Sequence, residues 1–194
     1  MKKLLTLLLA SILIFSLTAC GSDSDSTAEE GNATDETKEI ERYEKEEMTL
    51  EKLDKLLAEE PLCVTSSSYV AGDPELTALY PSMLSCILQN NSDQDIKDAV
   101  IAFVAWDANN LPVVIKSQYD FTDGSYVSQV DYDAINLVPG GTFGQDYGLS
   151  LDEESNTITT CKAIPVSYTT FDGETWNNPY YDDFKKLYEG QKLK

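Results

Sequence analysis

The 194-residue chain contains no histidine. That absence removes the Ser-His-Asp and Cys-His arrangements of nucleophilic catalysis, and every zinc site with an imidazole ligand. Basic residues are scarce as well: 14 Lys and Arg stand against 34 Asp and Glu, a formal net charge of −20. A surface of that sign repels phosphate backbones and anionic headgroups, which speaks against nucleic acid as a partner. The 4 cysteines lack the paired spacing of a zinc site. No Walker loop, Gly-x-Ser-x-Gly elbow, Gly-x-Gly-x-x-Gly turn or Ser-x-x-Lys run occurs. The sequence therefore reads as that of a non-enzyme without a cofactor.

What is present begins at the N-terminus. Lys2 and Lys3 precede an apolar run from Leu4 to Leu17. At about 15 residues it suits an export signal and falls short of the ~20 that span a bilayer as a helix. The run ends in Leu17-Thr18-Ala19-Cys20, followed by Gly21-Ser22-Asp23-Ser24. This order resembles a bacterial lipoprotein signal with its lipobox. The resemblance implies removal of residues 1–19, a diacylglycerol thioether on Cys20, and a place on the extracytoplasmic face of the cell membrane. At ~0.8 kcal/mol per buried CH₂, two acyl chains hold a protein where one is marginal. The alternative is ordinary signal-peptidase cleavage beside an incidental cysteine.

Residues 20–48 are rich in Ser, Thr, Asp, Glu and Lys, the composition of an acidic flexible tether. Residues 49–61 predict an amphipathic helix: Thr49 is a good N-cap, Leu50, Leu53, Leu56 and Leu57 recur at helical spacing, and Pro61 ends the run. Residues 62–194 then predict a β domain. Asp73-Pro74 suggests one helical turn through Leu79. Strands are expected at Met83–Gln89, Ile96–Trp106, Leu111–Lys116, Tyr126–Tyr132, Ile135–Val138, Phe143–Leu151 and Ile158–Tyr168, separated by Asn-, Asp- and Gly-rich turns. Ile96–Trp106 is apolar on both faces, as a doubly covered central strand would be. Pro165 lacks a donor, so the last run is an edge strand or carries a bulge. The fold class is mainly β, an immunoglobulin-like β-sandwich preceded by a helix, tether and signal peptide.

Three groups of residues resemble a domain-of-unknown-function family met in Gram-positive surface lipoproteins: Ile96-Lys97-Asp98-Ala99 with Ala105-Trp106-Asp107, Ile135-Asn136-Leu137 with Pro139-Gly140, and Asp172-Gly173-Glu174-Thr175-Trp176 with Asn178-Pro179-Tyr180-Tyr181. The resemblance covers roughly Tyr80 to Leu193. It implies an extracytoplasmic accessory or binding module and assigns no catalytic role.

Candidate sites are few. Asn91, Asp93 and Asp95 alternate as the opening ligands of a calcium loop, but Ile96 replaces its glycine and Ala102 stands where the bidentate Glu belongs. A plain polar turn between the two strands is the favoured reading, and Asp120 and Asp123 near Gly124 fit a hairpin turn as well as a cation site. Phe171, Asp172, Trp176, Tyr180 and Tyr181 interleave aromatic faces with carboxylates and amides, the chemistry of a sugar- or peptide-binding platform in a cell-envelope module. The same residues would also serve as a cap on the sandwich. Asp107, Asp120, Asp172 and Glu174 are the carboxylates from which a glycosidase pair would be drawn, although nothing singles one out. Cys63, Cys86 and Cys161 fit either buried apolar positions or one disulfide, Cys63 to Cys86 or Cys86 to Cys161.

Overall fold

The computed structural model describes residues 47–155 and 157–194. The signal segment, Cys20 and the tether as far as residue 46 lie outside them. In chain order the elements are α1 (Leu50–Glu59), β1 (Leu62–Val70), β2 (Met83–Asn90), β3 (Ile96–Trp106), β4 (Pro112–Val113), β5 (Ser128–Tyr132), β6 (Thr142–Phe143), β7 (Gly148–Ser150), a 3-10 turn (Glu153–Ser155), β8 (Thr160–Thr170), β9 (Thr175–Asn177) and α2 (Tyr181–Tyr188). Among the described residues no helix is long and apolar enough to cross a membrane.

The strands form two antiparallel sheets. In the first, β2 pairs with β1 on one edge and with both β6 and β7 on the other. In the second, β3 pairs with β8 on one edge and with β4 and β5 on the other, and β9 closes the far side of β8. The core between the sheets gathers Leu62, Leu84, Leu88, Ile101, Phe103, Leu149 and their neighbours. The expected two-faced character of Ile96–Trp106 is realised. Ala99, Ile101, Phe103 and Ala105 face the other sheet. Ala102, Val104 and Trp106 face outward under Leu53 of α1 and Phe184 and Tyr188 of α2. The molecule thus has three layers, sheet, sheet and helix pair, because the outer face of β3 is too apolar to meet water.

α1 begins as expected, with the Lys52 amide donating to Thr49 Oγ1 at 3.2 Å. It ends one residue before Glu60, and Pro61 keeps the chain extended into β1. Lys162 of β8 ties α1 down through Asp54 Oδ1 at 2.7 Å, with its ammonium 5.1 Å from the centre of the Tyr188 ring. Burial works against the Lys162 charge, yet hydrogen bonds to Asp54 and Tyr188 outweigh it and its pKa is raised.

Pro165 takes the bulge. Val100 pairs with Ser167 and Ile101 with Pro165, which leaves Val166 as the extra residue. Asn178 satisfies what the bulge leaves open: its amide donates to Val166 O at 2.9 Å and its Nδ2 to Pro165 O at 2.8 Å.

Several expected elements change. Residues 73–80 form turns rather than a helical turn, with Asp73 Oδ1 accepting from the Glu75 amide at 2.8 Å. The run Leu111–Lys116 keeps only β4 as a strand, and Ile115 beyond it forms an isolated bridge to Ser125. Ile135–Val138 is reduced to one bridge, Ile96 to Leu137, because Ala134 and Asn136 turn into the left-handed region with φ of 52° and 48°. Phe143–Leu151 splits into β6 and β7 at Gly144, whose φ is 119°. β9 and α2 arise where the sequence suggests an aromatic platform.

Candidate functional site

The residues proposed from sequence as a cation loop and as an aromatic platform meet in part at one end of the sandwich. Asn90, fully buried, holds the loop that follows it: Nδ2 donates to Gln94 O (2.8 Å) and Leu137 O (2.9 Å), and Oδ1 accepts from the amide and hydroxyl of Ser92 (2.9 and 2.7 Å). Asn91 turns away from any ligand position and donates to Glu60 O and Cys63 Sγ. Asp93 and Asp95 are exposed. Among the described residues no three His, Cys, Asp or Glu side chains gather as metal ligands. Gln94 Nε2 reaches across to Glu174 Oε2 at 3.0 Å, joining this loop to the β8–β9 hairpin.

On that hairpin Phe171 and Asp172 are exposed at the turn, while Trp176 lies flat on Tyr168 with ring centroids 5.1 Å apart and 21° between planes. The indole face a sugar would need is therefore taken by Tyr168 on one side. Burial raises the Tyr168 phenol, and the negative charges of Asp93, Glu174 and Glu60 add to it. Tyr180 and Tyr181 are elsewhere, half-buried in the helix layer, with Gln129 Nε2 donating to Tyr181 Oη at 2.7 Å. The five platform residues do not form one surface. Trp176 caps the inter-sheet core and the two tyrosines belong to the outer face of the second sheet.

The carboxylates considered for hydrolysis are scattered too. Asp107 is held below the usual carboxylate range chiefly by the Leu111 amide, and Asp120 chiefly by the Thr122 hydroxyl. Both are turn-stabilising acceptors kept ionised, the opposite of a general acid. Neither disulfide pairing drawn from the sequence is formed: Cys63, Cys86 and Cys161 are buried free thiols. Cys86 and Cys161 face the inter-sheet core, where burial pushes each up to about 12. Cys63 stands apart on β1 under Asn91.

A concavity among the described residues lies at the opposite end. A cleft of about 600 Å³ runs between the β1–β2 loop, which contributes Pro74, Thr77, Ala78, Pro81 and Ser82, and the segments 151–155 and Gln118. Its floor is fixed by Ser155, buried, whose hydroxyl accepts from the Lys116 amide and donates to Lys116 O, both at 3.1 Å. Thr77 Oγ1 donates to Glu153 Oε1 at 3.0 Å across the cleft. The loops that wall it carry large bare side chains: Leu79 and Tyr80 are 71% and 62% exposed, Tyr119 and Phe121 77% and 98%.

Residues 83–191 match the family of unknown function DUF5780. The chain belongs to that family. A hypothetical protein from Peptoclostridium difficile 630, solved by X-ray crystallography, superposes with a TM-score of 0.53 at 15% sequence identity, over 69% of this chain and 94% of that one. At that identity the likeness speaks for the fold alone. No curated protein matches the chain. The DUF5780 match begins at β2, so the 151–155 side of the cleft and Gln118 fall within it and the 74–82 side falls wholly before it.

No strand or helix periodicity points to this cleft. The available signal was Tyr119 and Phe121 inside Gln118-Tyr119-Asp120-Phe121-Thr122-Asp123-Gly124, large apolar residues set among turn formers that leave nothing to bury them.

Proposed function

We propose that this DUF5780 protein is a lipid-anchored, extracytoplasmic binding module without catalytic activity, whose ligand seats in the cleft between the β1–β2 loop and residues 151–155. The anchor rests on Leu17-Thr18-Ala19-Cys20. The binding role rests on one observation: a cleft of about 600 Å³, within the size range of small-ligand sites, between loops that leave Leu79, Tyr80, Tyr119 and Phe121 bare. The partner is then a component of the cell envelope, and the cleft replaces the Trp176 region as its seat.

The sandwich reads most closely as immunoglobulin-type. Its strand orders, β1-β2-β6/β7 and β4/β5-β3-β8-β9, follow the A-B-E and C′-C-F-G arrangement of that class. β2 and β8 then correspond to the strands that carry the inter-sheet disulfide in antibody domains, and here they bear the free thiols Cys86 and Cys161.

Cys20→Ala is expected to move the protein from the membrane fraction to the soluble extracytoplasmic fraction; continued partitioning with membranes would show the lipobox to be unused. For the cleft, a cell-envelope ligand is expected to raise the melting temperature, by about 2.7 kcal/mol of stabilisation at a hundredfold excess over Kd. Phe121→Ala should reduce that rise without lowering the unliganded melting temperature.

A further inference from the structure

We infer that the cleft takes a basic peptide segment, one apolar side chain seated between the loops and flanking amines held by carboxylates on the rim. This rests on the cleft being the binding site. The apolar half of the inference comes from the walls: Pro74, Ala78, Pro81 and Leu151 line the cleft. Leu79 and Phe121 on the adjoining loops stand in water at 71% and 98% exposure, and large apolar groups left bare beside a concavity mark an interaction site. The cationic half comes from charge. Asp152 and Glu153 line the cleft itself, while Asp73 and Glu75 lie on one adjoining loop and Asp120 and Asp123 on the other. Among the described residues no lysine or arginine lines it; Lys116 is the cation whose charge reaches the rim, at Asp120. A phosphate or an acidic peptide would meet the like charge of Asp152 and Glu153 in the cleft. A neutral glycan would gain nothing from these carboxylates, whereas amines on a peptide complement them and make encounter fast at low salt.

Calorimetric titration of the full chain tests this with three probes: a peptide alternating Lys with Leu and Phe, the same peptide with Glu in place of Lys, and a neutral β-1,4-linked N-acetylhexosamine oligosaccharide. The basic peptide should bind, more weakly as salt rises, and the acidic one should not. Leu79→Ala combined with Phe121→Ala, both at exposed positions, should weaken binding at least about tenfold while the circular dichroism spectrum stays that of the parent. Binding of the basic peptide that ignores this double variant is diffuse attraction to the acidic surface and overturns the inference, as does no binding. If the oligosaccharide binds instead and the double variant abolishes it, the cleft stands as the site and the basic occupant falls. If no probe depends on the cleft, both fall together.

Discussion

Cys86 and Cys161 show what burial does to single groups in this core. The two thiols sit between the sheets near the Tyr132 hydroxyl, which lies 4.0 Å from Cys86 Sγ. Transfer of a thiolate into that setting is disfavoured, so both titrate near 12 instead of 9. The sign of the linkage follows. Between those values the folded chain keeps two protons that the unfolded chain releases, so the unfolded state binds fewer protons and stability falls as pH rises. The melting temperature should therefore be level as far as about pH 8 and drop above pH 9, with a smaller drop in Cys86→Ala. The same burial protects the thiols. Alkylation at pH 8 should leave Cys86 and Cys161 untouched in the folded protein and modify both once it is unfolded; a pair that resists after unfolding is a disulfide, contrary to the structure.

Among the elements, Gly144 sets the geometry of a whole sheet edge. A Cβ at this position would run into the Cys86 carbonyl oxygen, and its φ of 119° lies where L side chains rarely go. Gly144→Ala should therefore cost more than about 1 kcal/mol, read from denaturant midpoints, and raise hydrogen exchange across β6 and β7 before β3 and β8. The same residue shows why part of the fold is legible in the sequence and part is not. Phe143, Tyr147, Leu149 and Leu151 alternate as one strand would, and only the backbone at Gly144 reveals two. β3 is legible because eleven residues carry their own evidence, apolar on both faces. Pro165 is legible as an edge or a bulge because a missing donor leaves few choices. α2 is hidden although Phe184, Leu187 and Tyr188 have helical spacing: the helix has only 8 residues, its N-cap Tyr180 supplies no side-chain capping hydrogen bond, and its aromatics imitate a binding surface. β9 is a strand only because β8 offers an edge. The cleft is the least legible feature, since its walls come from segments around residues 78, 118 and 153.

At the scale of the molecule the dominant quantity is charge. The chain carries −20, and self-repulsion of that size destabilises a compact state. Opposing it are local ion pairs: Lys162 with Asp54, Lys97 with Asp98, and Lys185 with Asp182 one helical turn away. Each has a partner at least 30% exposed, and such pairs are typically worth no more than about 1 kcal/mol. Salt weakens both kinds of interaction, so its net effect shows which is larger. The Debye length falls from about 30 Å at 0.01 M to about 3 Å at 1 M. The first value spans the domain and lets its many carboxylates repel one another; the second cuts that repulsion while leaving contacts such as the 2.7 Å Lys162–Asp54 pair largely in place. The melting temperature of the domain should therefore rise with sodium chloride between these limits, steeply at first. A fall over the same range would mean that the ion pairs, above all Lys162–Asp54 between β8 and α1, outweigh the repulsion, and that the seating of α1 depends on charge more than on Leu53.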